Sequence, residues 1–343
     1  MDPARTSAQR DGVTLARRAL GPAGARNRGG SASTAADPTS RRPAAYRCGV
    51  ANTWIIGIDL RERSEGAACF AAWLQRQAPD ATRLLALHAI EEGALDEHLQ
   101  LAGLVRTRER LRLAVERALE QADVRAAFAG IEVVDGVDPV TALETALQAE
   151  RARGLIVGRR TVGTGMQLVR LGRVARRLLR RLPAPTFVVP PDWQAGALGA
   201  GPIVVAVTPA EASIGAVKVA QALGAATRRP IEFIHVVPTS PIYAALSPPG
   251  GGHPDRDARQ LAEVAALMRT WLAQQNASGQ LTVRRGDEFD EILAVVAERA
   301  APLLVCGSRQ LSLSERAFGL SLSSELAARA PIPVLVVPSD ASA

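Results

Sequence analysis

A chain of 343 residues has room for about two ordinary domains and a surplus, and its net charge of +7 would suit a polyanion only if the charge lay on a folded surface. It lies instead in residues 1–50, where nine arginines face three aspartates, about +6 of the excess, so nucleic acid is not an expected partner of the folded part. No stretch approaches the roughly 18 uncharged apolar residues of a membrane span, and Cys48, Cys69 and Cys306, far apart and without a CxxC, argue against a disulfide framework or a zinc site and for a reducing, cytoplasmic compartment.

Residues 1–50 are Arg, Ala, Ser, Gly, Thr and Pro with almost no apolar run. They cannot bury enough surface to offset the entropy of ordering, which predicts a disordered tail. Its makeup fits a transit peptide or an over-extended translation start, and it lacks the apolar core of a secretory signal. From residue 51 short, continuous, β-branched runs alternate with stretches of helical period, as in a parallel sheet buried on both faces. A first domain, 51–191, reads as strands at 53–59, 83–90, 131–135, 154–158 and 185–189 with helices at 65–77, 95–122, 138–150 and 171–182. Ser64 before Glu65 is placed to cap the first helix. A linker follows at 192–201, with Gly196, Gly199 and Gly201, short enough to keep its neighbours in contact. The second domain, 202–340, reads as strands at 202–207, 230–236, 281–284, 302–306 and 333–337 with helices at 211–225, 255–276, 288–299 and 320–330. Thr208-Pro209-Ala210-Glu211 has the form of a capping box with proline at the first helical position. The Pro- and Gly-rich stretch 238–254 reads as a mobile loop.

The two domains are copies. Pro185-Thr186-Phe187-Val188-Val189-Pro190 matches Pro333-Val334-Leu335-Val336-Val337-Pro338, and Gly158, His88 and Asp59 match Gly307, His235 and Thr208, all about 148 residues apart. Strict alternation of strand and helix in each copy predicts an α/β chain of two tandem, doubly wound, open parallel five-stranded sheets. In such sheets ligands bind beyond the strands' carboxyl ends where strand order reverses, between the first and fourth strands.

A first strand ending in Ile-Asp, a second ending in an apolar run plus His, a fourth ending in Gly and a closing Pro-Val-Leu-Val-Val-Pro strand resemble the universal stress protein family. The resemblance covers about 53–338. It implies a Rossmann-like sheet of the adenine nucleotide alpha hydrolase type with strand order 3-2-1-4-5, a stress-response or regulatory role, closing strands that pair across a dimer interface, and, in nucleotide-binding members, a G-x2-G-x9-G-[ST] loop that holds ATP phosphates with the Asp of the first strand. Here Gly158 and Gly172 match the first and third glycines. Thr161 replaces the second, with Gly163 and Gly165 offering similar backbone freedom in a loop one residue longer. Arg173 replaces the Ser/Thr and keeps an anion-binding group at a helix N-terminus. With Asp59 retained, the first domain is expected to hold ATP or another anion. In the second, Thr208 replaces the Asp and serves as a cap, Gln310 replaces a glycine, and Leu320-Ser321 stands for Gly-Ser. Gly307, Ser308 and Ser321 remain, so that site is expected to be degenerate.

Blander readings stand beside these. Asp59 reads either as a turn cap or as an adenine or ribose contact. His88 and His235 read as structural hydrogen bonders, since no Ser or Cys nucleophile recurs with them, and Cys69 and Cys306 read as core. Arg176, Arg177, Arg180 and Arg181 form a solvated helix face, with only Arg173 near the phosphate end. No metal and no catalytic residue are expected. The enzymatic alternative, a nucleotide hydrolase or transferase, would draw its base from Asp59, Asp135 or Asp138, and a third alternative is a ligand-free scaffold. The closing strands, 186–189 and 334–337, are expected to meet within one chain as a pseudo-dimer, with a homodimer as a further assembly.

Overall fold

The computed structural model describes residues 52–60, 64–79, 82–90, 101–135, 138–159, 171–239, 254–308 and 321–339. The predicted tail, the predicted helical residues 95–100 and most of the predicted loop at 238–254 lie outside them. Strand and helix alternate through both halves. The first runs β1 (Asn52–Gly57), α1 (Glu65–Gln77), β2 (Thr82–Ile90), α2 (Leu101–Gln121), β3 (Phe128–Asp135), α3 (Pro139–Ala149), β4 (Gly154–Gly158), α4 (Arg173–Arg181) and β5 (Thr186–Val189). The second runs β6 (Ile203–Ala206), α5 (Glu211–Thr227), β7 (Ile231–Pro238), α6 (Pro254–Gln274), β8 (Gln280–Gly286), α7 (Glu288–Glu298), β9 (Leu304–Ser308), α8 (Leu322–Arg329) and β10 (Val334–Pro338).

The strands form one ten-stranded sheet in the order β3-β2-β1-β4-β5-β10-β9-β6-β7-β8. Each half therefore has the predicted 3-2-1-4-5 order with parallel neighbours. The two half-sheets are fused by their closing strands. β10 runs antiparallel to β5, with Val334 opposite Val188, Leu335 opposite Phe187 and Val336 opposite Thr186. The pairing hides two apolar edges that would otherwise template association.

Each face of the sheet carries one core that runs through both halves. Trp54, Phe70, Phe187, Val205, Phe233 and Leu335 belong to one, and Ile55, Leu85, Leu178, Val204, Ile234 and Val334 to the other. Phe187 sits 4.7 Å from the Phe70 ring and 5.2 Å from Trp54, and Trp193 of the linker packs on Phe70 at 5.3 Å. The linker is thus anchored by a buried aromatic on the first half. On the second half the Arg229 guanidinium donates to the carbonyls of Gly199 and Gly201 at 2.9 and 3.0 Å.

Three local details depart from the sequence expectations. β3 begins at Phe128 rather than 131, because Phe128 pairs with Leu84 before a bulge brings Gly130 opposite Leu85. Ser64 occupies the N-cap position of α1 without capping it. The capping box at Thr208 does not form either: α5 starts at Glu211 behind Ala210, and Thr208 and Pro209 lie outside the helix. Both hydroxyl residues are engaged in strand-end turns described below. Side-chain caps do form at Asp138 and Asp287, each accepting two backbone N–H bonds at the start of α3 and α7, and at Ser321 before α8.

An ion pair between the second strand and the end of the third helix recurs with its charges exchanged and its strand position shifted by two residues, since Glu232 stands level with Leu85 rather than Arg83. In the first half Arg83 of β2 pairs with Glu150 after α3 at 2.6 Å, both partly exposed. In the second half Glu232 of β7 pairs with Arg299 after α7 at 2.8 Å, and the Glu232 side chain is only 2% exposed. Removing the arginine leaves a buried carboxylate there but a hydrated one in the first half. Arg299→Ala is expected to lower the unfolding free energy by about 2 kcal/mol, and Arg83→Ala by less than about 1 kcal/mol, measured by equilibrium denaturation in urea.

Candidate functional site

The switch point lies where β1 and β4 run side by side. Gly57 is level with Val157 across this pair, so Ile58-Asp59 and Gly158-Arg159 leave adjacent strands together, about 4.8 Å apart by strand spacing. Asp59 and Gly158 therefore share one edge of the sheet. In the second half Ala206 is level with Cys306, which brings Thr208 beside Gly307 and Ser308. Because the seam is antiparallel, the two carboxyl edges point in opposite directions, and the two sites lie on opposite edges of the ten-stranded sheet.

Both strand ends are held in the same way. His88 Nδ1 lies 2.9 Å from the Ile58 carbonyl and His235 Nδ1 lies 2.9 Å from the Val207 carbonyl. A carbonyl only accepts, so Nδ1 carries the proton and the ring clips the second strand of each half to the end of the first. The histidines act as structural hydrogen bonders. One residue on, the Asp59 N–H donates to Ser64 Oγ at 2.9 Å and the same hydroxyl donates to the Asp59 carbonyl at 3.2 Å. The Thr208 N–H donates to Ser213 Oγ at 3.0 Å, and the two hydroxyls lie 3.4 Å apart. A serine five residues beyond each strand end closes the turn, and this recurrence was open to view in the duplicated sequence. The Asp59 side chain is exposed at the edge.

The matched glycines are not equivalent. Among the described residues, a Cβ on Gly158 would meet nothing nearer than Ala67 Cβ at 3.8 Å, an ordinary contact. On Gly307 it would lie 1.9 Å from the Ala212 carbonyl oxygen. The start of α5 thus presses on Gly307 more closely than α1 presses on Gly158. The helix ends differ in the same sense. Gly172 stands at the N-cap of α4 without a side-chain bond, with Arg173 exposed as the first helical residue. Ser321 caps α8, its hydroxyl accepting from the Ser324 N–H at 3.3 Å, and so occupies a donor that an anion would use. Thr161, Gly163, Gly165 and Gln310 lie outside the described residues.

The carboxylates Asp135, Asp138 and Glu144 are held in ion pairs. Arg177 reaches Asp138 and Arg181 reaches Glu144 at 2.8 Å, so the arginine face of α4 packs on the acids of α3. Burial pushes the Asp138 carboxyl up, but the Arg177 guanidinium and two backbone N–H groups outweigh it and hold the carboxyl below its usual range. Asp135 pairs with Arg108 of α2. Burial raises the Cys69 thiol and pushes that of Cys306 to about 12, as core cysteines require. Among the described residues no group of three or more His, Cys, Asp or Glu is arranged to hold a metal ion, and no helix is long and apolar enough to cross a membrane. Arg159, which the sequence did not single out, sends its side chain into the other half.

The sequence profile of the universal stress protein family matches residues 53–190 and, a second time, residues 200–338. The chain belongs to the universal stress protein family. Its tandem halves each carry one copy of the family's unit. The stress response protein NhaX of Bacillus subtilis is 38% identical over 76 residues, which is 22% of this chain and 45% of that protein. The alignment thus spans less than half of this curated relative. A universal stress protein from Archaeoglobus fulgidus superimposes with a TM-score of 0.61 at 20% identity, over 84% of this chain and 99% of that one. A functionally unknown protein from Pseudomonas aeruginosa gives 0.57 at 17% identity, over 84% and 92%. These structures share the fold of this universal stress protein across both halves.

The contrast between the glycines is directly measurable. Gly158→Ala is expected to change stability by less than about 0.5 kcal/mol. Gly307→Ala is expected to cost about 3 kcal/mol, because either the β9 end or the first turn of α5 must move. Urea unfolding of the two variants separates them.

Proposed function

We propose that this cytoplasmic universal stress protein is a stress-response regulator that binds an adenine nucleotide, ATP first among them, or another phosphate-bearing anion in its first half, and signals through conformation or partners rather than through turnover. The observation that carries the reading is the looser packing at Gly158, where among the described residues a Cβ would make only an ordinary contact, set against the Ala212 carbonyl that a Cβ on Gly307 would strike. A phosphate approaches a strand-end loop closely only where no side chain intervenes, and the uncapped start of α4 at Gly172 offers N–H donors and the positive end of a helix dipole. In this reading Arg173 adds charge at that helix start, Asp59 faces the adenine or ribose, and Thr161, Gly163 and Gly165 line the loop between. The degenerate second site consists of Thr208, Gly307, Ser308, Gln310 and Ser321. The name of the Bacillus subtilis relative supports the stress-response part.

The enzymatic alternative shares this site but has fewer groups to draw on. Asp138 is a helix cap paired with Arg177, and Asp135 is paired with Arg108, so a general base would fall to Asp59. Nucleotide released on denaturing the purified protein, identified chromatographically, tests the binding reading. ATP at a hundred times its Kd is expected to raise the unfolding free energy by about 2.7 kcal/mol. Asp59→Ala is expected to weaken ATP about tenfold or more, the loss of about 1.4 kcal/mol, while Thr208→Ala leaves affinity unchanged. No co-purifying nucleotide and no thermal shift with ATP would favour the scaffold, and ATP turnover abolished by Asp59→Ala would favour the enzyme.

A further inference from the structure

Arg159 follows Gly158 at the end of β4 and stands at the boundary between the halves. Its backbone N–H donates to the Val189 carbonyl at the end of β5, 2.8 Å away. Its side chain then crosses the boundary, and Nη1 donates to the Ala330 carbonyl at 2.9 Å. Ala330 is the C-cap of α8. A helix leaves its last carbonyls without intrahelical partners and carries the negative end of its dipole there, so a guanidinium suits the place. The charge is nonetheless incompletely compensated. Nε is buried without a hydrogen-bond partner among the described residues, and burial pushes the guanidinium pKa down, offset in part by Asp192.

The other end of α8 begins at Ser321, one of the residues of the degenerate second site. A helix of this length spans about 12 Å, so α8 runs from the second site to the side chain that follows Gly158. Ser308 stands at the position that matches Arg159, and a serine side chain is too short to cross between the halves.

We propose that Arg159 is a positioning residue that couples the first-half pocket to α8, so that a phosphate-bearing ligand bound at Gly158 tightens the contact with Ala330 and its presence is read in the second half. The inference rests on the ligand reading above. A bound anion fixes the backbone of Gly158-Arg159 and adds negative charge near a guanidinium that Asp192 compensates only in part. Coupling of this kind is reciprocal: the factor by which the ligand strengthens the contact is the factor by which the contact strengthens the ligand.

Hydrogen exchange on the full chain, with ATP as the probe, tests it. In the wild type, saturating ATP slows the amides of residues 322–330 by about fivefold, the lower end of ordinary coupling. Arg159→Met abolishes the slowing and weakens ATP by the same factor of about five. Arg159→Lys, which keeps the charge but not the planar fork, retains part of both and guards against a folding defect in the first variant. ATP that binds the wild type without slowing residues 322–330, or that slows them equally in Arg159→Met, overturns the coupling and leaves the ligand reading intact. Failure of the wild type to bind ATP overturns the ligand reading and the coupling with it.

Discussion

Val334 against Val188, Leu335 against Phe187 and Val336 against Thr186 are the contacts on which the rest of the molecule depends. Without them each half would end in a short, fully apolar edge strand, which a chain in water cannot leave exposed without inviting association. With them, the cores on both faces become continuous across the halves. The antiparallel sense of the pairing has a second effect. It turns the carboxyl edges of the half-sheets away from each other and brings the end of α8 to the boundary beside β5, which is why Arg159 can reach Ala330.

Duplication gave the two halves one set of positions, and they have since met the same physical demands with different residues. The tie between the second strand and the third helix is Arg–Glu in one half and Glu–Arg in the other, shifted by two residues along the strand, with the carboxylate partly exposed in the first and buried in the second. The strand-end turn is closed by Ser64 in one half and Ser213 in the other. Asp138 and Asp287 cap matching helices. Where the halves differ in kind is the switch point. The second half has brought the start of α5 against Gly307 and capped α8 with Ser321, gaining packing and helix stability at a place where the first half holds α1 less tightly against Gly158.

The strands were legible because a sheet covered on both faces requires short, continuous β-branched runs, and the repeat supplied each run twice. Their order, and the pairing of the closing strands, followed from the family resemblance, since an apolar run does not name its neighbour in the sheet. The helix starts at Ser64 and Thr208 were misread because capping preference is local, whereas a turn two to five residues away had already engaged both residues. Gly158 and Gly307 are the same letter at matching positions, and no local rule separates a glycine demanded by the Ala212 carbonyl from one that leaves room. Arg159 was invisible because its partner lies 171 residues away. The matched serines at 64 and 213 were within reach of the repeat and were passed over because only the strand ends themselves had been aligned.

Whether the seam makes one cooperative sheet of two copies is decided by native-state hydrogen exchange across a urea series. The amides of Thr186–Val189 and Val334–Val337 are expected to exchange only by global unfolding, with the same free energy and urea dependence as the central amides of β1 and β6. Seam amides that exchange at markedly lower free energy, with little urea dependence and with both half-sheets still protected, would contradict a single cooperative sheet.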